Sequence, residues 1–153
     1  MDLEIRKATE RDLPSVLRLY GEMGNPRVLD LDAARRIFER MSTYPCYDLY
    51  VAELDGTIVG THALLIMDNL AHSGTPSAIV EDVSVAEAHR GQGIGRVMMH
   101  HAMETARRHG CYKLCLSSNL ARERAHAFYR SLGFEQHGMS FHVGLGTDQS
   151  GDR

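Results

Sequence analysis

Between Ala78 and Gly95 the chain reads AIVEDVSVAEAHRGQGIG, an extended apolar run that gives way to glycines at 91, 93 and 95. The run from Ser77 to Val85 has the composition of a strand. Beyond it, Ile94, Met98, Ala102 and Ala106 recur at i, i+4, so a helix starts in the glycines and reaches about His109, where Gly110 closes it. Glycines in the turn permit positive φ and close approach of the backbone to a ligand. The first N–H groups of the helix point into that turn and make an anion site suited to a phosphate or pyrophosphate. Arg90 and Arg96 add positive charge there. No Lys follows the glycines as a nucleotide P-loop requires, and their G-x-G-x-G spacing is not the dinucleotide fingerprint. A glycine-rich turn without a ligand is the alternative reading.

The flanking sequence predicts a strand at Leu3–Lys7 and a helix starting near Asp12, with Pro14 in its first turn. Leu13, Val16, Leu17 and Tyr20 form its apolar side, and Gly21, Gly24, Asn25 and Pro26 break it. A second helix fits Asp32 to Met41 and stops at Tyr44-Pro45. The period then becomes two. Tyr47–Glu53 and Thr57–Met67 are strands joined at Asp55-Gly56, a hairpin turn. After Ser77–Val85 and the long helix come a strand at Tyr112–Ser117, a helix at Arg122–Leu132 closed by Gly133, and one or two strands over Phe134–Val143. The order β-α-α-β-β-β-α-β-α-β describes an α/β fold with a mixed sheet and helices on both faces. One domain is expected over residues 1–143, with a loose tail at 144–153 rich in Gly, Ser and Asp.

Composition narrows the function classes. Seventeen basic and twenty acidic residues leave a formal charge of -3, which argues against binding nucleic acid through bulk charge. No apolar run approaches the ~18 residues of a membrane span, and MDLEIRKATE lacks an apolar export core. Three cysteines, Cys46, Cys111 and Cys115, are too few for a disulfide framework and fit a cytoplasmic location. Nine histidines invite a metal reading, but Cys111 and Cys115 lack a His pair at zinc spacing, so no metal is expected.

Arg90-Gly91-Gln92-Gly93-Ile94-Gly95 matches the [RQ]-x-x-G-x-[GA] motif of the GNAT-type N-acetyltransferases, which use acetyl-CoA. Downstream, Ala125-His126-Ala127-Phe128-Tyr129 and Leu132-Gly133-Phe134 resemble the family's A-x-x-F-Y-x-x-x-G-F segment. The two motifs stand in the family's order and separation, and the resemblance runs to about Val143. It implies a GNAT-like, largely antiparallel sheet. It also implies that N–H groups from Gln92 to Arg96 hold the pyrophosphate of coenzyme A and that the main chain of Val83 and Val85 pairs with the pantetheine arm. Tyr129 would stand near the thioester sulfur. Where the family often carries Asn seven residues before that Tyr, this chain has Arg122, and Asn119 lies three residues earlier as the substitute. Within the family, Leu116-Ser117-Ser118-Asn119, Arg122 and Phe128-Tyr129 are most similar to aminoalkylphosphonate N-acetyltransferases. Glu81 to Val85 with Arg90-Gly91 also resembles polyamine and glucosamine-6-phosphate N-acetyltransferases.

Acetyl transfer to a primary amine requires a neutral amine, donors for the oxyanion and a proton for the departing thiolate. The Val85 amide is the expected oxyanion donor and Tyr129 the expected acid, against the alternative that Tyr129 is only a core aromatic beside Phe128. Glu81 is ranked first as the base, with Asp82 or a water chain as alternatives. As strand neighbours, the two carboxylates face opposite sides of the sheet unless a bulge intervenes. A salt bridge to an arginine is the other use for either. Arg27, Arg35, Arg36 and Tyr44 are candidates to read an anionic group on the acceptor, and His137 and His142 to line its site. A small-molecule amine is the expected acceptor. A protein amine, or a non-catalytic acyl-CoA-binding or regulatory domain on the same fold, are the competing readings. The resemblance also admits a homodimer.

Overall fold

A computed structural model of the chain describes residues 2–24, 27 and 29–146. The chain divides into two units, Met1–Leu116 and Ser117–Arg153. In the first unit β1 (Leu3–Lys7), β2 (Tyr47–Leu54), β3 (Thr57–Met67), β4 (Ser77–Val85) and β5 (Leu114–Cys115) form one sheet in that order. Helices α1 (Leu13–Glu22) and α2 (Leu31–Ser42) link β1 to β2, and α3 (Ile94–Arg108) links β4 to β5. The second unit holds α4 (Glu123–Ser131). Pairings from β1 through β4 are antiparallel, while β4 and β5 run parallel. A parallel pair needs a crossover, and α3 supplies it.

Alternation along the strands distributes the helices. Tyr50 of β2 and His62 of β3 turn their rings toward His101 of α3. Tyr47, Leu49 and Ala63 line a cavity together with residues of α1 and α2. Side chains of opposite parity face opposite ways, so α1 and α2 cover one face and α3 the other. The expected α/β class, with a mixed, mainly antiparallel sheet and helices on both faces, is what forms.

Local chemistry sets the elements. Asp55 and Gly56 both have positive φ, 47° and 82°, the requirement of a two-residue hairpin turn. Arg6 forks onto Asp12 at 2.7 and 2.9 Å and onto Glu53 at 2.9 and 2.7 Å, tying the start of α1 to the sheet. The guanidinium holds the Asp12 carboxyl down at about 2, with burial opposing it. The four residues Ile94, Met98, Ala102 and Ala106 are all buried, as their spacing requires. Gly60 lets α3 lie close, because a Cβ there would stand 2.7 Å from the Met98 sulfur and 3.2 Å from the Ser84 carbonyl.

Three expectations need correction. Gly21 does not break α1 but lies within it. The strand expected over Tyr112–Ser117 shrinks to Leu114–Cys115, because it meets β4 only at Ala78 and Ile79. Over Phe134–Val143, among the described residues, no strand forms. Met139, Phe141 and Val143 do alternate, but they are 79–87% exposed and the second unit has no described strand to pair with. Period-two patterning makes a strand only where a ladder partner exists. Of the expected tail, residues 147–153 and, near α1, Asn25 and Pro26 lie outside the described residues.

A ring cluster fills the space between sheet and α3. His62 stacks on Tyr50 at 5.3 Å, His101 meets Tyr50 edge-on at 4.9 Å, and neither nitrogen of the fully buried His62 has a hydrogen-bond partner. Burial first, then His101, lowers the His62 pKa to about 3. A histidine whose folded pKa is depressed takes up its proton more readily when unfolded. Its contribution is therefore full above ~6.5 and declines as pH falls toward the folded value. Denaturant titrations are expected to show stability falling by roughly 2 kcal/mol from His62 alone between pH 6.5 and 5. In His62→Phe this slope is reduced; an unchanged slope would place the acid sensitivity elsewhere.

Candidate active site

β4 is the scaffold of the site. β5 pairs with it only at Ala78 and Ile79, so among the described residues no strand covers its outer edge from Val80 to Val85. The Ala86 N–H donates to the Val59 carbonyl at 2.8 Å, toward β3. Successive residues of a strand direct their main-chain groups to opposite edges, so Val85 and Val83 present theirs to the open edge. The Arg90 guanidinium donates to the Val85 carbonyl at 3.1 Å, and the Val85 N–H lies on the same edge.

A β-bulge in β4 sets the carboxylates. Thr61 lies opposite Ser84 and Ala63 opposite Glu81, so the single residue His62 faces both Asp82 and Val83. Asp82 takes φ 52°, a left-handed conformation that aspartate tolerates better than most residues. Directly opposed residues share a face, which puts Glu81 on the face of Ala63, toward α1 and α2. Asp82 lines the cavity on that same face. Simple alternation places the two on opposite sides; the extra residue resets the period and brings both carboxylates to the face covered by α1 and α2.

Following β4, a 3₁₀ turn at Glu87–His89 is tethered by the Glu87 N–H, which donates to the Glu22 carboxylate at 2.8 Å. Gln92 donates from its side chain to the Ala88 carbonyl at 3.3 Å. Gly91 and Gly93 have φ of 76° and 84°, and a Cβ at either would meet nothing within 4 Å. Gly93 is the N-cap of α3, its carbonyl accepting from the Val97 N–H at 3.2 Å. Beyond this N-cap, α3 opens with Ile94 and Gly95, in the first turn where an α-helix directs its leading N–H groups out of the helix end. Open space above a left-handed turn, backed by the positive end of a fifteen-residue helix, suits an anion such as a diphosphate.

The cavity on this face has a volume of about 260 Å³. Its walls are apolar side chains of α1 and α2, floored by Leu49 and Ala63. Asp82, Arg27, Tyr20 and Tyr47 supply its polar groups. Burial and then the Asp82 charge push the Tyr20 hydroxyl far above its ordinary range, against a hydrogen bond with Thr61. Burial, then Asp82 and Glu81, raise Tyr47 in the same way. Neither tyrosine stood out in the sequence: Tyr20 sits on an apolar helix stripe and Tyr47 at a strand start, where aromatics are ordinarily core. Of the candidate anion readers, Arg27 lines the cavity. Arg35 is instead engaged with Glu10 at 2.9 Å and Asp32 at 3.2 Å, on another surface with Arg36. Tyr44 is 57% exposed and stacks on Tyr47.

In the second unit α4 presents Tyr129, half-buried, with its ring 5.2 Å from Phe128 and 5.7 Å from Phe134. Burial raises its hydroxyl pKa, while Arg122 opposes the rise, so the hydroxyl keeps its proton at neutral pH. The Asn119 side-chain oxygen accepts from the Ala121 N–H at 2.9 Å, and its carbonyl meets His126 Nε2 at 2.8 Å, which shapes the entry to α4. His126 thereby has a structural role. His137 and His142 are exposed in the segment that forms no strand.

Residues 13–134 match the model of the acetyltransferase (GNAT) family. The chain is 31% identical to a glucosamine 6-phosphate N-acetyltransferase of Trypanosoma brucei brucei over 146 residues, 95% of this chain and 97% of that protein. It is 34% identical to an aminoalkylphosphonate N-acetyltransferase of Salmonella typhimurium over 138 residues, 90% and 88% of the two chains. Among solved structures, a Trypanosoma brucei acetyltransferase superposes with a TM-score of 0.83 at 31% identity, covering 94% of this chain and all of that one (100%). With the turn, the open strand edge and both motifs in place, the chain belongs to the GNAT family and is an acetyl-CoA-dependent N-acetyltransferase.

Proposed function

We propose that the enzyme acetylates the primary amine of a small molecule by direct attack, with coenzyme A lying along the outer edge of β4. The observation that carries this reading is the conjunction of that open edge with the left-handed turn at Gly91–Gly93. The N–H groups from Gln92 to Arg96, aided by Arg90 and Arg96, hold the diphosphate. Val83 and Val85 pair with the pantetheine arm, and Asn119 adds a contact to it. Acetyl-CoA supplies the activated acyl group. The Val85 N–H receives the charge that develops on the acyl oxygen. Glu81 and Asp82 attract the ammonium and take its proton, directly or through water, so that the lone pair becomes available. Tyr129 delivers a proton to the departing sulfur. One catalytic domain over residues 1–143 agrees with a family match that runs through both units. A cytoplasmic location is part of this reading, on the sequence's count of three cysteines, too few for a disulfide framework. No helix among the described residues is long and apolar enough to cross a membrane.

Two measurements test the reading together. Coenzyme A at a hundredfold excess over its Kd should stabilise the fold by about 2.7 kcal/mol, a Tm rise of roughly 5–10 °C. Thiol release from acetyl-CoA should appear with at least one small amine in a panel of aminoalkylphosphonates, amino sugars, polyamines, alkylamines and amino acids. Stabilisation without turnover of any amine would instead mark a cofactor-binding domain.

A further inference from the structure

We propose that the acceptor is a compact primary amine with an apolar body, an inference that rests on the acetyltransferase reading above. The cavity beside the bulge is walled by Leu13, Val16, Leu17, Ile37, Phe38 and Met41. At about 260 Å³ it is below the ~300 Å³ at which pockets for drug-sized ligands begin. A sugar or a phosphorylated amine brings several hydroxyl or phosphoryl oxygens, each of which loses hydration on entry and needs a donor in return. Among the described lining residues the side-chain donors are Arg27 and the hydroxyls of Tyr20 and Tyr47, set in walls that are otherwise mainly apolar. Of the arginines of α2, Arg35 is paired with Glu10 and Asp32, and Arg36 lines that other surface with it. Among the described lining residues Arg27 is the one cation, and it is exposed.

Charge complementarity fixes which end enters. Glu81 and Asp82 share the cavity face, and the Asp82 and Glu81 charges are both felt by Tyr47 at its edge. An ammonium is drawn to that end, and the remainder of the molecule lies against the aliphatic and aromatic side chains of α1 and α2. The substrate class therefore differs from what the names of the two relatives describe.

A homologous series of n-alkylamines from ethyl to hexyl tests this, because their amino groups have nearly the same basicity and differ only in apolar length. At saturating acetyl-CoA, kcat/KM should rise about fourfold per methylene, the factor for burying one CH₂, and level off once the cavity is filled. Leu17→Thr, at a half-buried lining position, should flatten the rise. Asp82→Asn, which suits the left-handed backbone, should lower kcat/KM for the favoured alkylamine at least tenfold with coenzyme A affinity unchanged. A flat series in which glucosamine 6-phosphate, an aminoalkylphosphonate or spermidine is the best acceptor overturns the inference and leaves the acetyltransferase reading standing. If coenzyme A neither binds nor is released with any amine, both fall.

Discussion

Gly93→Asp is expected to weaken coenzyme A binding at least a hundredfold while the protein stays folded. Space is not the obstacle, since a Cβ at this position meets nothing within 4 Å. The backbone cost is that of a left-handed φ of 84° at a non-glycine residue, on the order of 1 kcal/mol. The larger effect is electrostatic. The new carboxylate sits at the N-cap of α3, where the helix end favours an anion, and so occupies the charge environment that would hold the diphosphate. Two unit charges ~5 Å apart repel by about 3 kcal/mol at an effective dielectric of 20, and the diphosphate carries more than one. Gly93→Asn is the control, with the same backbone demand and no charge, and it should keep most of the affinity. Titration calorimetry with coenzyme A reads both; equal affinity in wild type and Gly93→Asp would remove the turn from the binding site.

Tyr129→Phe is expected to lower kcat by a factor of about 100 or more, the usual contribution of a positioned acid, with coenzyme A affinity unchanged. The ring contacts with Phe128 and Phe134 survive the substitution, so the loss isolates the hydroxyl. Because burial raises the tyrosine's pKa, its proton is present throughout the neutral range. The wild-type rate should therefore show no loss of this acid between pH 6 and 9, and any rise with pH over that window belongs to deprotonation of the amine. Full activity in the variant would reduce Tyr129 to a packing residue.

Much of the architecture was legible because it rests on local rules. Asp55-Gly56 forces a hairpin, and the i, i+4 apolar row from Ile94 to Ala106 forces a helix against the sheet. The glycines at 91 and 93 permit the turn that the helix end needs. These are constraints of φ, of period and of burial, and each operates within a few residues. The same rules misread Phe134–Val143, where alternation lacked a described partner strand, and Gly21, which a ten-residue helix absorbs. Gly21 is the last residue but one of α1, which ends at Glu22 just ahead of Gly24 with its φ of 86°.

From the sequence alone came the family, the glycine turn at the head of α3 and the candidate acid, because two motifs at the right separation specify backbone conformation and side-chain type together. Tertiary structure decided where the two carboxylates stand. A single left-handed residue, Asp82, shifts the register of β4 against His62 and turns Glu81 and Asp82 to one face. Helices α1 and α2 then close an apolar cavity over that face and draw in Tyr20 and Tyr47. No local pattern announces a bulge, since it is the pairing with β3 that selects it, and a one-residue slip in a strand reverses which side every later residue faces.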